Sequence, residues 1–306
     1  MVFMSGNNRN SNLSGCLFVI AAAVLWGTTG TSQALAPAAS TPQEIGALRL
    51  LVGGVLLAGY SLARNRKSFK GVSVVQGVAG GIFVAAYQLC FFWGVSLTGV
   101  AVGTMVGIGS APVFAGILDS LLFRRQPSAR WYLSTGLALA GCLFLTLSES
   151  IEIHIIGIIL SAGAGLSYAL YAICMKKMLA SATAETVAAT IFCFGALFLF
   201  PFLAGADLSW VLLPNGLLVT IHLGLFATAV SYVFFCKGLG RISVPTAVTL
   251  SLAEPLTAGL LGVLVIGERL SAAGWLGLSL ILSGLVILAR PVSKSVLSKV
   301  QDKEHG

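Results

Sequence analysis

The chain has 306 residues, of which 57% are hydrophobic and only 9% are charged, and its mean hydropathy is +0.96. A soluble domain carries roughly 25% charged residues, because it must cover its surface with water-binding groups. This composition excludes a soluble globule, a disordered chain and a disulfide-stapled secreted domain. It predicts an all-α integral membrane protein, since the apolar runs are much longer than the ~10-residue alternating strands of a membrane barrel.

At about 20 residues per span plus short connections, the length accommodates about ten transmembrane helices. The apolar runs are separated by clusters of Pro, Gly, Ser and charged residues, which set the predicted boundaries. In chain order the predicted helices are Ser14–Leu35, Pro42–Ala63, Gly71–Trp93, Gly99–Phe123, Arg130–Leu147, His154–Met178, Ala184–Ala204, Pro214–Cys236, Ser243–Ile266 and Ala272–Ala289.

The positive charges segregate to one side of this ten-helix arrangement. Of 18 Lys and Arg residues, sixteen fall in connections or tails on the side of the N-terminus, Arg269 falls on the other side, and Arg49 lies inside a helix. Short cytoplasmic loops carry such an excess of Lys and Arg. The sequence therefore predicts a plasma (inner) membrane protein with both termini in the cytoplasm. The net charge of +8 is explained by these loop anchors, so no nucleic-acid partner is expected.

Tryptophans agree with this arrangement, since amphipathic rings favour the membrane interface. Four of the five fall at predicted helix ends or in loops, and we expect them to lie at the interface: Trp93, Trp131, Trp210 and Trp275. The first helix resembles a signal peptide only weakly, and its cleavage would leave nine helices. We therefore expect it to be retained.

An internal repeat appears when the chain is shifted by 143 residues. Between Pro112 and Leu145 twelve positions are identical to their mates, among them Pro112 with Pro255 and Gly141 with Gly284. The predicted halves are 14–147 and 154–289, with cytoplasmic tails 1–13 and 290–306. Because each half has five helices, the second enters the membrane from the opposite side. Such inverted repeats are typical of secondary transporters, and channels also contain them.

Several segments follow a recognisable pattern: Val24–Gly30, Ala47–Leu50, Ala253–Gly262, Ile266–Leu270, Trp275–Gly277 and Ser283–Leu285. On these segments the chain resembles the EamA branch of the drug/metabolite transporter superfamily over about residues 15–289. The resemblance implies ten helices in two homologous halves and the export of amino acids or other small metabolites. The halves differ in charge, since the first has Ala111 and Arg125-Gln126 where the second has Glu254 and Glu268-Arg269.

Two ionisable residues within predicted spans are candidates for substrate binding. Placing an Arg side chain at the centre of a lipid-exposed helix costs about 2.5–3.5 kcal/mol of insertion free energy. Arg49 should therefore face the bundle or a water-filled cavity. It suits a substrate carboxylate; alternatively it ties to backbone carbonyls or to Glu44, or extends to the membrane surface. Glu254 precedes Pro255, which frees the Ser251 carbonyl and is expected to bend the helix. Glu254 suits a substrate amine or a coupling proton; alternatively it is a neutral donor between helices.

Aromatic and neutral polar residues away from the membrane interfaces complete the candidate site. Aromatic rings line cavities or pack as ordinary core, and the neutral groups contact a substrate or join helices. The candidates are Trp26, Tyr87, Tyr168 and Tyr171, with Thr28, Gln88 and Thr249. His222 is expected to be a neutral histidine that bridges two helices.

The sequence predicts a secondary transporter with a small-molecule substrate, the lipid bilayer as its surroundings and a coupling proton as a candidate partner. No nucleotide-binding phosphate loop of the type G-x-x-x-x-G-K-[ST] is present, so transport is expected to use a gradient. A passive channel is the main alternative. An intramembrane enzyme would require paired catalytic groups within the spans, and this sequence does not contain them. The six cysteines form no C-x-x-C pair, and no metal or other cofactor is expected.

Overall fold

A computed structural model describes residues 6–146, 154–267 and 269–290, and these residues form helices without β-strands. The helices are α1 (Gly6–Ala34), α2 (Pro42–Arg64), α3 (Val74–Thr98), α4 (Val100–Phe123), α5 (Ala129–Thr146), α6 (Ile155–Met178), α7 (Ala184–Leu199), α8 (Pro214–Leu239), α9 (Val244–Ile266) and α10 (Ala272–Ala289). Two short turns, Pro201–Ala204 and Ser209–Leu212, lie between α7 and α8.

Eight helices in the described part of the chain are long and apolar enough to cross a membrane. The 16-residue α7 is apolar but shorter. The 18-residue α5 carries Arg130 in its first turn, which lowers its hydropathy. The all-helical membrane fold is therefore confirmed, and the count of ten spans stays a prediction.

Several helix ends differ from prediction. The seventh helix was predicted to end at Ala204 but α7 ends at Leu199, and the eighth was predicted to end at Cys236 but α8 ends at Leu239. The third helix was predicted at Gly71–Trp93 but runs from Val74 to Thr98. Gly71 has φ +85°, a left-handed conformation that a helix cannot contain, and the Ser73 hydroxyl accepts from the Gln76 N–H as an N-cap. The first helix begins at Gly6, ahead of the predicted Ser14, because the backbone stays helical beyond the apolar segment.

Helices α8 and α9 depart from regular α-helix in their middle. In α8 the stretch His222–Val230 is π-helical, a form common at functional sites. In α9 the helix Val244–Leu250 is separated from Ala253–Leu261 by a turn at Ser251, whose carbonyl accepts from the Glu254 N–H at 2.9 Å. Pro255 thus coincides with a break in the helix, as the sequence predicted.

Helices α5 and α10 cross in antiparallel directions through small residues. A Cβ added to Gly141 would lie 2.5 Å from the Gly277 carbonyl, and one added to Gly284 would lie 2.6 Å from the Ser134 carbonyl. As the residue number rises along α5, the number of its partner on α10 falls. A shift of 143 residues exchanges these two contacts with each other, because it relates Gly141 to Gly284 and Ser134 to Gly277.

Other helix pairs repeat this exchange between the two parts of the chain. Helix α3 packs on α6 where Gly94 meets Gly157, and α1 packs on α8 where Gly15 meets Gly238. Helix α4 also packs on α6, as α1 packs on α9, and α2 packs on α7. Exchanging each of the helices α1–α5 with its repeat mate in α6–α10 turns the α3–α6 contact into α8–α1 and the α4–α6 contact into α9–α1. The α2–α7 contact is unchanged by this exchange.

The bundle is tightly packed at the end where α1 begins and looser at the opposite end. Buried residues along α1 stop at Gly27, and in α9 they run from Val244 to Ala253, beyond which most residues are partly exposed. Met175 and Cys236 at the packed end are fully buried. Burial along α1 and α9 is thus concentrated toward the end where α1 begins, which we call the closed end of the bundle.

Two of the four tryptophans that the sequence places at helix ends or in loops are buried against protein rather than exposed. Trp131 and Trp210 are buried, with 6% and 2% of their surface exposed, whereas Trp93 and Trp275 are about half exposed. The indole N–H of Trp131 donates to Thr249 at 2.9 Å, and that of Trp210 donates to Glu44 at 3.2 Å. Each of the two buried indole N–H groups therefore has a hydrogen-bond partner inside the protein.

Candidate functional site

Aromatic side chains from α1, α3, α6 and α8 meet where the closed end of the bundle gives way to the open end. We call this set the aromatic cluster; it consists of Trp26, Tyr87, Tyr168, Tyr171, Tyr232 and Phe235. The sequence predicted Trp26, Tyr87, Tyr168 and Tyr171 as candidates, and the fold brings all four together. Tyr87 is half-buried and the others are buried.

Trp26 holds α1 against α8. Its indole N–H donates to the Ser231 hydroxyl at 2.9 Å, and its ring lies 4.7 Å from that of Tyr232 and 5.3 Å from that of Phe235. A buried indole needs such a partner for its polar end. Trp26 is thus part of the core between the two helices as well as of the aromatic cluster.

The tyrosines place polar atoms among the rings. Tyr168 and Tyr171 stack at 5.0 Å, and the hydroxyls of Tyr171 and Tyr232 lie 3.2 Å apart. The buried Tyr168 hydroxyl lies near Ser251 at the break in α9, but it has no well-formed hydrogen bond among the described residues. A buried hydroxyl without a partner costs free energy and is available to a polar ligand.

Arg49 approaches the aromatic cluster from α2 and is half-buried. Its Nε is shielded from solvent and has no hydrogen-bond partner in the described part of the chain. The predicted alternative partner, Glu44, is used elsewhere: it completes the capping box with Thr41 and accepts from Trp210. Arg49 therefore retains donor capacity toward the cluster, where its charge acts on Tyr87 and Tyr232.

Glu254 approaches the cluster from the other side, where α9 resumes after its break. It is half-buried, and its charge acts on Tyr87, Tyr168 and Tyr232. Arg49 lies within electrostatic range of it, but the described residues form no ion pair or hydrogen bond with the Glu254 carboxylate. A basic and an acidic group thus flank the same cluster without direct contact between them.

Two further predicted residues join helices. Gln88 is buried and its amide donates to the Gly46 carbonyl at 3.2 Å, which ties α3 to α2. The Thr28 hydroxyl donates to the Leu25 carbonyl at 2.6 Å and lies 2.8 Å from Nε2 of His222. The prediction that His222 bridges helices is confirmed.

Sequence reasoning missed the contribution of α8 to this site. Tyr232 and Phe235 are three residues apart, so they share a face of the helix, and Ser231 adds a hydroxyl beside them. That spacing was visible in the sequence.

A multi-span helical bundle with ionisable and aromatic groups in its interior defines a class of protein: a polytopic membrane protein with a polar internal site. The sequence matches the EamA-like transporter family over residues 13–147 and again over residues 155–290. The chain belongs to this family, as the resemblance indicated.

Two relatives and one solved structure match this chain over most of its length. The uncharacterized transporter YwfM of Bacillus subtilis is 42% identical over 274 residues, covering 89% of this chain and 93% of YwfM. The threonine/homoserine exporter RhtA of Escherichia coli is 28% identical over 301 residues, covering 91% of this chain and 92% of RhtA. A solved crystal structure shares the fold with a TM-score of 0.77 at 21% identity, covering 90% of this chain and 96% of its own.

Proposed function

We propose that the protein is a secondary transporter that exports amino acids or other small metabolites across the plasma (inner) membrane. The observation that carries this proposal is the placement of Arg49 and Glu254 on two sides of the aromatic cluster without an ion pair between them. A guanidinium suits a substrate carboxylate, and a carboxylate suits a substrate ammonium group. The pair therefore fits a zwitterion such as an amino acid.

The proposed mechanism is alternating access between two inverted five-helix halves, 14–147 and 154–289, with ten spans in total. Two observations support it. The contacts of α5 with α10 run in antiparallel directions and exchange under the repeat shift, and the other helix pairs exchange in the same way. Inverted halves can swap conformations, which opens the site first to one side and then to the other.

The relatives support an exporter without defining its substrate. RhtA is named for threonine and homoserine, which are amino acids with a carboxylate and an ammonium group. The same two groups are the ones that Arg49 and Glu254 fit. Trp26, Tyr87 and Tyr168 are proposed to contact the rest of the substrate. Gln88 and Thr28 are proposed to act indirectly, through the hydrogen bonds that join neighbouring helices.

The test is counterflow in liposomes that contain the purified protein. Vesicles loaded with one unlabelled amino acid at a time should accumulate the labelled form transiently, because a carrier exchanges substrate across the membrane. A passive channel equilibrates the label without this overshoot, and no flux for any amino acid would contradict the proposed substrate class. The same assay with an imposed pH gradient tests proton coupling.

A further inference from the structure

A groove on the outer surface of the bundle lies away from the aromatic cluster, above α7. It has a volume of about 400 Å³ and is lined almost entirely by apolar atoms. The lining residues are Phe69, Ala189, Thr190, Cys193, Phe194 and Leu197. Five of them recur at helical spacing on α7, so the groove follows that helix for about 12 Å at 1.5 Å rise per residue.

The groove exists because α2 and α3 both pack on α7 while making few contacts with each other. Glycines bring each of them close: Gly54 of α2 meets Cys193, and Gly81 of α3 meets Phe194. Phe69, from the connection between α2 and α3, closes one end. At the other end Leu197 is 63% exposed, so the groove opens toward the surroundings of the bundle.

Positive charge is concentrated at the end of the groove that Phe69 closes. Arg64 ends α2, and Arg66, Lys67 and Lys70 follow in the connection that contains Phe69. Arg64 bonds the Tyr60 hydroxyl, and no carboxylate in the described part of the chain forms an ion pair with these four cations. The nearby Glu185 acts on Arg64 from a distance and is already paired with Lys237 at 3.3 Å.

We propose that this groove is a binding site for one anionic phospholipid. An acyl chain occupies the apolar groove along α7, and the phosphate headgroup lies against Lys67 and Lys70 beside Phe69. Basic pockets next to apolar helix surfaces select anionic lipids, with each cationic side chain contributing to the attraction. The site lies outside the transport pathway and does not depend on the proposed substrate.

The test measures lipid binding to the delipidated, detergent-purified protein by native mass spectrometry. Phosphatidylglycerol and phosphatidylcholine with identical acyl chains are the probes. Wild type should bind phosphatidylglycerol more tightly, and Lys67→Gln with Lys70→Gln should weaken its binding about thirtyfold, to the level of phosphatidylcholine. The control, Arg124→Gln with Arg125→Gln, removes the same charge from another connection and should retain the preference.

A second pair of variants tests the acyl-chain site. Leu197→Trp fills the open end of the groove and should weaken both lipids, whereas Leu218→Trp, at a similarly exposed position on α8, should weaken neither. Equal binding of the two lipids by wild type would overturn the proposal. So would an undiminished preference in the double lysine variant, or equal effects of the two tryptophan variants.

Discussion

Arg49 and Glu254 are the residues whose roles depend most on one another. Each is half-buried beside the aromatic cluster, and the repeat mate of Glu254 is Ala111, so the acidic group belongs to one half only. A buried charge is costly unless it is paired. This cost is offset if a bound substrate supplies a carboxylate to Arg49 and an ammonium group to Glu254.

The first prediction concerns Glu254→Gln, which keeps size and hydrogen bonding but removes the charge. If Glu254 binds a substrate ammonium group or a proton, driven flux should fall tenfold or more, which corresponds to about 1.4 kcal/mol of barrier. Any pH dependence of flux should flatten as well. Thermal unfolding in detergent should stay close to wild type, and normal pH-dependent transport by this variant would contradict the functional role.

The matching change in Arg49 should affect the other end of the substrate. Arg49→Lys keeps the charge but loses the planar fork that binds a carboxylate at two points. We expect unlabelled substrate to inhibit counterflow of the labelled substrate more weakly in this variant. Inhibition of the same counterflow by the amide analogue, which has no carboxylate, should be unchanged. Equal weakening of both compounds would indicate a structural role for Arg49. Competition in the counterflow assay measures both.

At the level of helices, close approach through small residues holds the bundle together. In a membrane, helices gain stability from tight packing because lipid is as apolar as their side chains. The α5–α10 crossing is the sharpest case, since Gly141 and Gly277 each lie against the carbonyl of the other. A side chain at either position would force the two helices apart.

Gly141→Ala should therefore destabilise the protein by about 1–3 kcal/mol and lower its apparent Tm by roughly 3–10 °C. The added Cβ would lie 2.5 Å from the Gly277 carbonyl and 2.8 Å from the Ile281 nitrogen. Gly136→Ala, on the same helix, is the control, because nothing lies within 4 Å of its added Cβ. Equal Tm values for the two variants would show that this crossing does not limit stability.

For the whole molecule, the closed end is held by contacts between α6 and the connection of α8 to α9. The Lys176 ammonium donates to the carbonyls of Leu239 at 2.6 Å, Ile242 at 3.0 Å and Gly240 at 3.3 Å. Under the proposed alternating access, we expect these contacts to break in the opposite state. The buried Cys236 lies just behind them.

Lys176→Met should raise the rate at which N-ethylmaleimide labels Cys236 by roughly tenfold or more, since one hydrogen bond to a charged group is worth about 1.5–3 kcal/mol. The other five cysteines are replaced for this measurement. Lys177→Met is the control, because Lys177 instead lies over the ring of Phe123 at 5.6 Å. A labelling rate that neither Lys176→Met nor substrate changes would contradict opening at this end.

The predicted orientation has its own measurement. Both termini are proposed to be cytoplasmic, which places Lys67 inside and Gly205 outside; both positions are exposed. In a cysteine-free background, an impermeant thiol reagent applied to intact cells should label Gly205→Cys and leave Lys67→Cys unlabelled until the cells are opened. The reverse pattern would invert the topology.

The sequence by itself determined that this chain is a helical membrane protein of the EamA-like family with an internal duplication. Hydropathy, helix breaks at Pro255 and repeat matches are properties of neighbouring residues or of the chain compared with itself. For that reason they can be read without a fold. Individual candidates such as Trp26, Tyr168, Arg49 and Glu254 stood out because aromatic and charged residues are unusual within apolar helices.

Only the tertiary structure decided which of these residues meet. The inclusion of Tyr232 and Phe235 in the aromatic cluster, the burial of Trp131 and Trp210, and the groove above α7 each depend on which helices pack together and how closely. Glu44 shows the reason: its partner Trp210 is 166 residues away in the chain. Contacts between distant segments arise from packing of the whole bundle, which no local pattern encodes.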